Sequence, residues 1–285
     1  MRRILAATDF SPRADLALER AAILATTTSA SLDIVHVVDP DRPRELVAAE
    51  ASLSRDLLDE QRKLISGRHG IEASARLYEG EPFQGIGKAL DELKPDLLVL
   101  GAYRRRLLQD TFVGTTAERA IRRSRKPVLM VNSEARERYV HILAAVDLSP
   151  NAAQALRTTT ALGLNHDAAL SVAYLYDAPG AGSISLSALS KTEIKAYLAD
   201  ERALAVGELN AFLESVPVGR VQRIVKEIHK SVADALQGIA GELSADLLVI
   251  GAGSGSGPAR MLLGSSALDI LATSRRDVLV VPHVN

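Results

Sequence analysis

The chain opens on a ten-residue stretch, Arg3-Ile4-Leu5-Ala6-Ala7-Thr8-Asp9-Phe10-Ser11-Pro12, whose pattern returns as His141-Ile142-Leu143-Ala144-Ala145-Val146-Asp147-Leu148-Ser149-Pro150. Further along, residues 96–102 match residues 246–252, and Gly114-Thr115 matches Gly264-Ser265 at the same spacing. Each repeated unit is as long as a domain and far longer than one unit of a solenoid, so the sequence indicates duplication of a whole domain. We predict one domain over residues 1–135, the first copy, and another over residues 139–285, the second copy.

Segments typical of strands and helices alternate along each copy. Ser11 supplies a helix N-cap and Pro12 the first helical residue, and Ser231 caps a later helix in the second copy. In the first copy we predict strands at 4–8, 32–38, 71–78, 97–100 and 128–131, and helices from Pro12 and over 43–68, 82–93 and 115–125. This alternation predicts an α/β fold of two tandem doubly wound domains, each a five-stranded parallel sheet flanked by helices.

Composition narrows the class of protein. The chain is 47% hydrophobic but only 4% aromatic, so its cores are aliphatic, and it contains no cysteine for disulfides, thiolate catalysis or metal ligation. A net charge of -1 gives no attraction to nucleic acid or an anionic membrane, and we interpret the basic stretch at 102–126 as a solvated helix face. Asp9 and Arg13 interrupt the apolar N-terminus, and no run approaches the ~20 apolar residues of a membrane span. We predict a cytoplasmic protein without nucleic-acid or membrane partners.

The carboxyl ends of the strands form the candidate binding site. Ligands of open parallel sheets bind there, which places Asp9, Val37 and Gly101 along one edge of the first copy. Gly114-Thr115 and Gly264-Ser265 lie where a helix begins, so backbone N–H groups and a hydroxyl would point at an anion. The pattern predicts a phosphate ligand.

Each of these residues also has a structural interpretation. Asp9 and Asp147 could cap the first helix or pair with a neighbour, and Gly101 and Gly251 could be turn glycines that end a buried strand. The hydroxyls of Thr115 and Ser265 could be helix caps instead of ligands. The residues alone leave these alternatives open.

The repeated segments resemble those of the universal stress proteins, and specifically of their tandem two-domain members. The likeness rests on Asp9-Phe10-Ser11, on His36-Val37-Val38-Asp39, and on residues 112–119 followed by Pro127-Val128-Leu129. Nucleotide-binding members of that family carry Gly, two residues, Gly, nine residues, Gly, then Ser or Thr. The second glycine of this motif is Arg104 in the first copy and Ser254 in the second.

The resemblance implies an adenine-nucleotide alpha hydrolase-like fold that binds ATP or AMP, with magnesium held through the phosphates. Because Tyr103 and Arg104-Arg105-Arg106 would obstruct close approach of a phosphate, we expect the second copy to be the binding domain. There the resemblance implies Asp147 and Leu175 at the adenosine end, with Gly251, Gly253, Ser254, Gly264 and Ser265 around the phosphates. The matching residues of the first copy are Asp9, Val37, Gly101, Gly114 and Thr115.

Three functions remain open at this stage. The leading hypothesis is a stress-response protein in which nucleotide binding modulates contacts with an unidentified protein partner. The alternatives are a nucleotide-free stress scaffold and a weak ATPase or self-phosphorylating protein with Ser254, Ser256, Ser265 or Ser266 as acceptor. The sequence has no GxSxG or Walker A motif, so we assign no catalytic or metal residues and do not favour an enzyme.

The resemblance also bears on assembly. It implies that the two copies pair through their final strands, residues 128–131 and 278–281, so that one chain forms an intramolecular pseudo-dimer. Whether two chains then form a homodimer is left open by the sequence.

Overall fold

A computed structural model of the protein describes residues 1–102, 115–135, 137–177, 190–228, 231–252 and 263–283. The described part contains ten strands: β1 (Arg3–Ala7), β2 (Ser31–Val38), β3 (Ala73–Glu79), β4 (Leu97–Gly101), β5 (Val128–Val131), β6 (His141–Val146), β7 (Ala169–Tyr176), β8 (Gln222–Glu227), β9 (Leu247–Gly251) and β10 (Asp277–Val281). It contains eight helices: α1 (Pro12–Thr28), α2 (Arg44–His69), α3 (Pro82–Leu93), α4 (Thr116–Arg123), α5 (Pro150–Ala161), α6 (Lys191–Glu214), α7 (Val232–Glu242) and α8 (Ser265–Thr273).

The strand order confirms the predicted doubly wound fold. Within each copy all pairs are parallel, in the orders β3-β2-β1-β4-β5 and β8-β7-β6-β9-β10. The chain moves outward in one direction from β1 to β3 and in the other from β4 to β5. The order therefore reverses between β1 and β4, and between β6 and β9, which is where this architecture opens a crevice for ligands.

The two sheets join into one. Strand β5 pairs antiparallel with β10, with Leu129 opposite Leu279, so the described strands form a single ten-stranded sheet instead of two separate ones. This is the pairing of final strands that the family resemblance implied, and it occurs within one chain. We call this β5–β10 pair the seam.

Helices cover both faces of the sheet. Helices α1, α2, α5 and α6 pack on one face, and α3, α4, α7 and α8 pack on the other. Successive residues of a strand alternate between the two layers, as Ile4 and Ala6 do against Leu5, and all three are fully buried. Central strands of a parallel sheet are accordingly apolar on both faces, which is why 97–100 was recognisable.

Some element boundaries differ from the sequence prediction. Helix α4 ends at Arg123 instead of residue 125, because the Ser124 hydroxyl donates to the carbonyl of Lys126 and accepts from its N–H, which closes a turn. Strand β3 begins at Ala73 instead of residue 71, since its pairing with β2 starts where Ala73 faces Leu32. Neither shift moves a candidate site residue.

Candidate functional site

The turn between the first strand and first helix of each copy has the same unusual backbone. Phe10 has φ 57° and Leu148 has φ 60°, a left-handed conformation that is strained for large side chains. Ser11 and Ser149 follow, and their hydroxyls accept the N–H groups of Ala14 and Ala152 as N-caps. Strain that persists at the same place in both copies is typical of a site with a function.

The two aspartates hold this turn. Oδ1 of Asp9 accepts the N–H of Ser11 at 3.0 Å, and Oδ1 of Asp147 accepts the N–H of Ser149 at 3.1 Å and also its hydroxyl. The helix caps are therefore the serines, while the aspartates brace the loop that precedes them. Both carboxylates are exposed at the carboxyl edge of the sheet, so they remain accessible to a ligand.

Gly101 and Gly251 have a structural reason to be glycine. A Cβ on Gly101 would lie 2.7 Å from the carbonyl oxygen of Arg13, and one on Gly251 would lie 3.1 Å from that of Asn151. The last residue of β4 or β9 thus packs directly against the first turn of α1 or α5, leaving no room for a side chain. Close packing explains these glycines without a ligand.

Two residues that the sequence analysis did not assign to the site, Arg13 and Asn151, lie beside these glycines. Arg13 donates from Nε to the carbonyl of Ala102 at 3.1 Å, and its guanidinium lies 4.0 Å from the Asp9 carboxylate. In the second copy Asn151 donates from Nδ2 to the carbonyl of Ala252 at 3.2 Å, and its Oδ1 contacts Nδ1 of His283. Alignment of the two copies at their Ser-Pro pairs would have exposed this difference, because Arg13 and Asn151 both follow that pair.

The helices at the far side of the crevice begin differently. In the first copy the Thr115 hydroxyl accepts the N–H of Glu118 at 3.1 Å and caps α4. In the second copy the N-cap is Gly264, which has no side chain, and the helix begins one position earlier relative to the repeat. The sequence placed both hydroxyls toward an anion, but that of Thr115 is engaged by its own helix.

The first turns of α4 and α8 also differ in charge. Glu118 lies in the first turn of α4, buried at 4% exposure, with Oε1 2.6 Å from Nε of Arg122. The corresponding residue of α8 is Leu268, and the first turn of α8 contains no acidic residue. The helix dipole of α4 therefore meets a carboxylate of the protein, whereas that of α8 does not.

Among the described residues, no contact requires glycine at position 264. Its φ is -59° and ψ is 157°, a conformation open to any residue, and no described atom lies within 4 Å of where its Cβ would be. Gly264 and Ser265 are both exposed. A glycine that no described contact requires, at the exposed start of a helix, is a candidate for close approach of a ligand.

The remaining predicted residues fall into two groups. Val37 and Leu175 are half-buried near the carboxyl ends of β2 and β7, and Val37 packs closely against Gly85 of α3. Gly114, Gly253 and Ser254 lie outside the described residues, as do Arg104 and the other arginines beside it.

The described residues thus define two rims at the carboxyl edge. The first rim consists of Asp9, Arg13, Val37, Gly101 and Thr115, and the second of Asp147, Asn151, Leu175, Gly251, Gly264 and Ser265. Within the described ranges, no cluster of three or more His, Cys, Asp or Glu side chains is arranged to hold a metal. No helix in the same ranges is both long and apolar enough to cross a membrane.

Comparison with known proteins shows one family. The model of the universal stress protein family matches the chain twice, over residues 1–132 and 138–282. The chain is similar to universal stress protein MJ0577 of Methanocaldococcus jannaschii, at 23% identity over 152 residues that cover 46% of this chain and 94% of that protein.

Solved structures share the fold over nearly the whole chain. A universal stress protein from Archaeoglobus fulgidus superposes with a TM-score of 0.69 at 17% identity, covering 98% of this chain and 97% of that one. The functionally unknown protein PA1789 from Pseudomonas aeruginosa gives a TM-score of 0.65 at 22% identity, with 99% and 93% covered. At these identities the likeness concerns the fold.

Proposed function

Because the chain belongs to the universal stress protein family, we propose that it is a cytoplasmic stress-response protein whose second copy binds an adenine nucleotide, ATP or AMP. In this proposal the nucleotide occupies the second rim, with its phosphates at the start of α8 and magnesium carried on the phosphates. Binding, and not turnover, is the proposed activity.

The start of α8 carries the proposal. Gly264 has no side chain with which to cap the first N–H groups of the helix, and the first turn contains no acidic residue to oppose the dipole. Uncapped N–H groups at a helix N-terminus bind phosphate through hydrogen bonds and through the positive end of the dipole. The exposed Ser265 hydroxyl adds a further donor.

The nucleoside would lie toward the first strand of the second copy. The exposed carboxylate of Asp147 can accept hydrogen bonds from ribose hydroxyls, and it is held in place by Ser149. Leu175, near the end of the adjacent β7, offers half-buried apolar surface to a base. Asp147, Leu175 and the start of α8 lie at or after the carboxyl ends of β6, β7 and β9. Ligands of open parallel sheets bind at this edge, which supports the proposed position of the nucleotide.

Occupancy is proposed to act on a protein partner. A bound nucleotide bridges α8 and the β6–α5 turn and would favour one arrangement of the carboxyl edge, which shifts the affinity of any partner that contacts this edge. The domain bounds 1–135 and 139–285 are part of this proposal. Each copy is taken to be one complete domain with a five-stranded parallel sheet and flanking helices.

The test is a calorimetric titration of the full chain with ATP and magnesium after removal of any co-purified nucleotide. We expect one site per chain, and loss of at least about tenfold in affinity in Gly264→Val, because the side chain would occupy the space next to the helix N–H groups. Absence of heat at millimolar ATP, with no co-purified nucleotide, would contradict the proposal and leave the scaffold hypothesis.

A matched control is available in α7. A Cβ on Gly238 would also have no described atom within 4 Å, and this glycine lies away from the rim, on the helix before β9. Gly238→Val should bind ATP as the unmodified chain does. Equal loss of affinity in the two variants would show that the effect is a general perturbation and not a local one.

A further inference from the structure

A buried polar cluster lies at one end of the seam. Asp277, the first residue of β10, has no exposed surface. Its Oδ1 accepts the N–H groups of Asn132 and Ser133 at 2.9 and 3.0 Å and the Ser133 hydroxyl at 2.9 Å. Its Oδ2 accepts from Nε of Arg20 at 3.0 Å and from the Tyr139 hydroxyl at 2.7 Å. The carboxylate is fully hydrogen-bonded.

Arg20, which forms the ion pair with Asp277, is also buried. Arg20 is 4% exposed, donates from Nη1 to the carbonyl of Glu137 at 2.8 Å, and stacks its guanidinium 4.1 Å from the centre of the Tyr139 ring. Burial, together with the charge of Asp277, raises the pKa of Tyr139 well above its ordinary value, so its hydroxyl remains a donor. A buried ion pair of this kind tolerates the loss of either partner poorly.

The cluster draws on both copies. Arg20, Asn132 and Ser133 belong to the first copy and Asp277 to the second, while Tyr139 follows the linker between them. At the centre of the seam Leu129 faces Leu279, and these two leucines occupy the same position in the repeat. The seam therefore has an approximate two-fold axis between them, and each group on one side has a counterpart on the other.

The counterparts of Arg20, Asp277 and Asn132 carry no charge, while that of Ser133 is His283. Ser124 and Ser274 form the same hydroxyl turn before β5 and β10, which aligns Asp277 with Pro127. Arg20 aligns with Thr158 through the matching starts of α1 and α5, and Asn132 aligns with Pro282, which has no N–H to donate. The ion pair thus occupies only one of two related positions.

We propose that Arg20 and Asp277 make the seam accept only unlike copies. In a pair of first copies each Arg20 would be buried against Pro127, without a carboxylate. In a pair of second copies each Asp277 would be buried against Thr158, Pro282 and His283, without the guanidinium and without the N–H donor that Asn132 supplies. Only the unlike pair neutralises both charges, which is discrimination by a penalty on the wrong partners.

The chain contains no cysteine, which permits a direct trap for wrong pairing. Leu129→Cys places a thiol on the two-fold axis, where only a seam between two first copies would bring two such thiols together. The variant is unfolded in denaturant with reductant, refolded at rising protein concentration, oxidised, and assayed for disulfide-linked dimer. Leu129→Cys with Leu279→Cys should form an intrachain disulfide, which verifies the geometry of the trap.

We expect little dimer from Leu129→Cys alone and at least about tenfold more when Arg20→Met is added, with a yield that rises with protein concentration. The increase follows because neutral first copies no longer bury an unpaired charge when they pair. Arg3→Met is the matched control: it removes an arginine 3.3 Å from Asp33 within the first copy, away from the seam, and should leave the dimer yield unchanged.

A second arm covers the case in which Arg20→Met does not refold. Leu279→Cys with Asp277→Asn traps pairs of second copies, and should also give more dimer than Leu279→Cys alone. Equal dimer yields with and without the charge-removing substitution, whether high or zero, would overturn the proposal, because the linker alone would then determine the pairing. A rise of the same size with Arg3→Met would overturn it as well.

Discussion

The two rims share a backbone but differ in how the last helix of the site begins. In the first copy Thr115 caps α4 and Glu118 stands in its first turn, so the helix N-terminus is satisfied by the protein itself. In the second copy the N-cap is Gly264 and Leu268 replaces the glutamate, so no side chain in the described part of the chain caps α8, and its first turn contains no acidic residue. The comparison teaches that two copies of one backbone can differ in whether a helix N-terminus is capped by its own side chains or is open to a ligand.

A second difference reinforces the first. Arg13 places a cation 4.0 Å from Asp9 on the first rim, whereas the second rim has the neutral Asn151 at the same position. Both side chains hold the carbonyl after the strand-ending glycine. The first rim therefore supplies an internal partner for its aspartate, while the carboxylate of Asp147 faces its own turn and solvent.

The largest effect on stability is expected where the strand-ending glycines meet the first helices. Gly101→Ala should lower the free energy of unfolding by about 2–3 kcal/mol, since its Cβ would lie 2.7 Å from a backbone oxygen and the helix must shift. Gly251→Ala, at 3.1 Å, should lower it by about 1 kcal/mol. Urea denaturation of both variants measures the difference, and a larger loss for Gly251→Ala would reverse the comparison.

The second-largest difference in stability between the two rims is expected when Asn151 or Arg13, which donate to the carbonyls of Ala252 and Ala102, is replaced by alanine. Asn151 is 5% exposed, so Asn151→Ala leaves the buried carbonyl of Ala252 without this donor and should cost about 1–2 kcal/mol. Arg13 is 37% exposed and water can replace it, so Arg13→Ala should cost less than about 1 kcal/mol. Thermal denaturation of the pair is the check; equal losses would show that burial does not distinguish these two contacts.

The smallest difference concerns the helix caps. Thr115→Ala removes the N-cap of α4 and should reduce the free energy of unfolding by about 1 kcal/mol. Ser265→Ala should change it by less than about 0.5 kcal/mol, because Ser265 is exposed and follows the N-cap instead of forming it. The same denaturation assay applies, and a loss with Ser265→Ala as large as with Thr115→Ala would mean that α8 is capped after all.

Much of the fold could be predicted from the sequence because its signals are local. The strand and helix order and the Ser11 and Ser231 caps were expected from such signals and are present. The pairing of β5 with β10, also present, was implied only by the family resemblance. The start of α4 was missed by one residue, since a Thr-Thr pair does not reveal which hydroxyl caps. The family resemblance named the candidate residues but not which of them the fold itself requires.

What could not be predicted depends on contacts between distant residues. Position 101 at the end of β4 requires glycine because the carbonyl of Arg13, in the first turn of α1, lies next to it. The cluster of Arg20, Tyr139 and Asp277 joins three remote parts of the chain, and none of these residues has a distinctive local pattern. Such contacts follow from strand order and packing, which only the folded arrangement supplies.

The most direct test of the central claim is hydrogen–deuterium exchange of the full chain with and without ATP and magnesium, followed by mass spectrometry. Amides at the start of α8, from Ser265 to Ala267, should exchange more slowly with nucleotide because they become hydrogen-bond donors to phosphate. Amides at the start of α4, from Thr116 to Arg119, should be unaffected. Protection at α4, or no change at α8 under saturating nucleotide, would contradict the assignment of the site to the second copy.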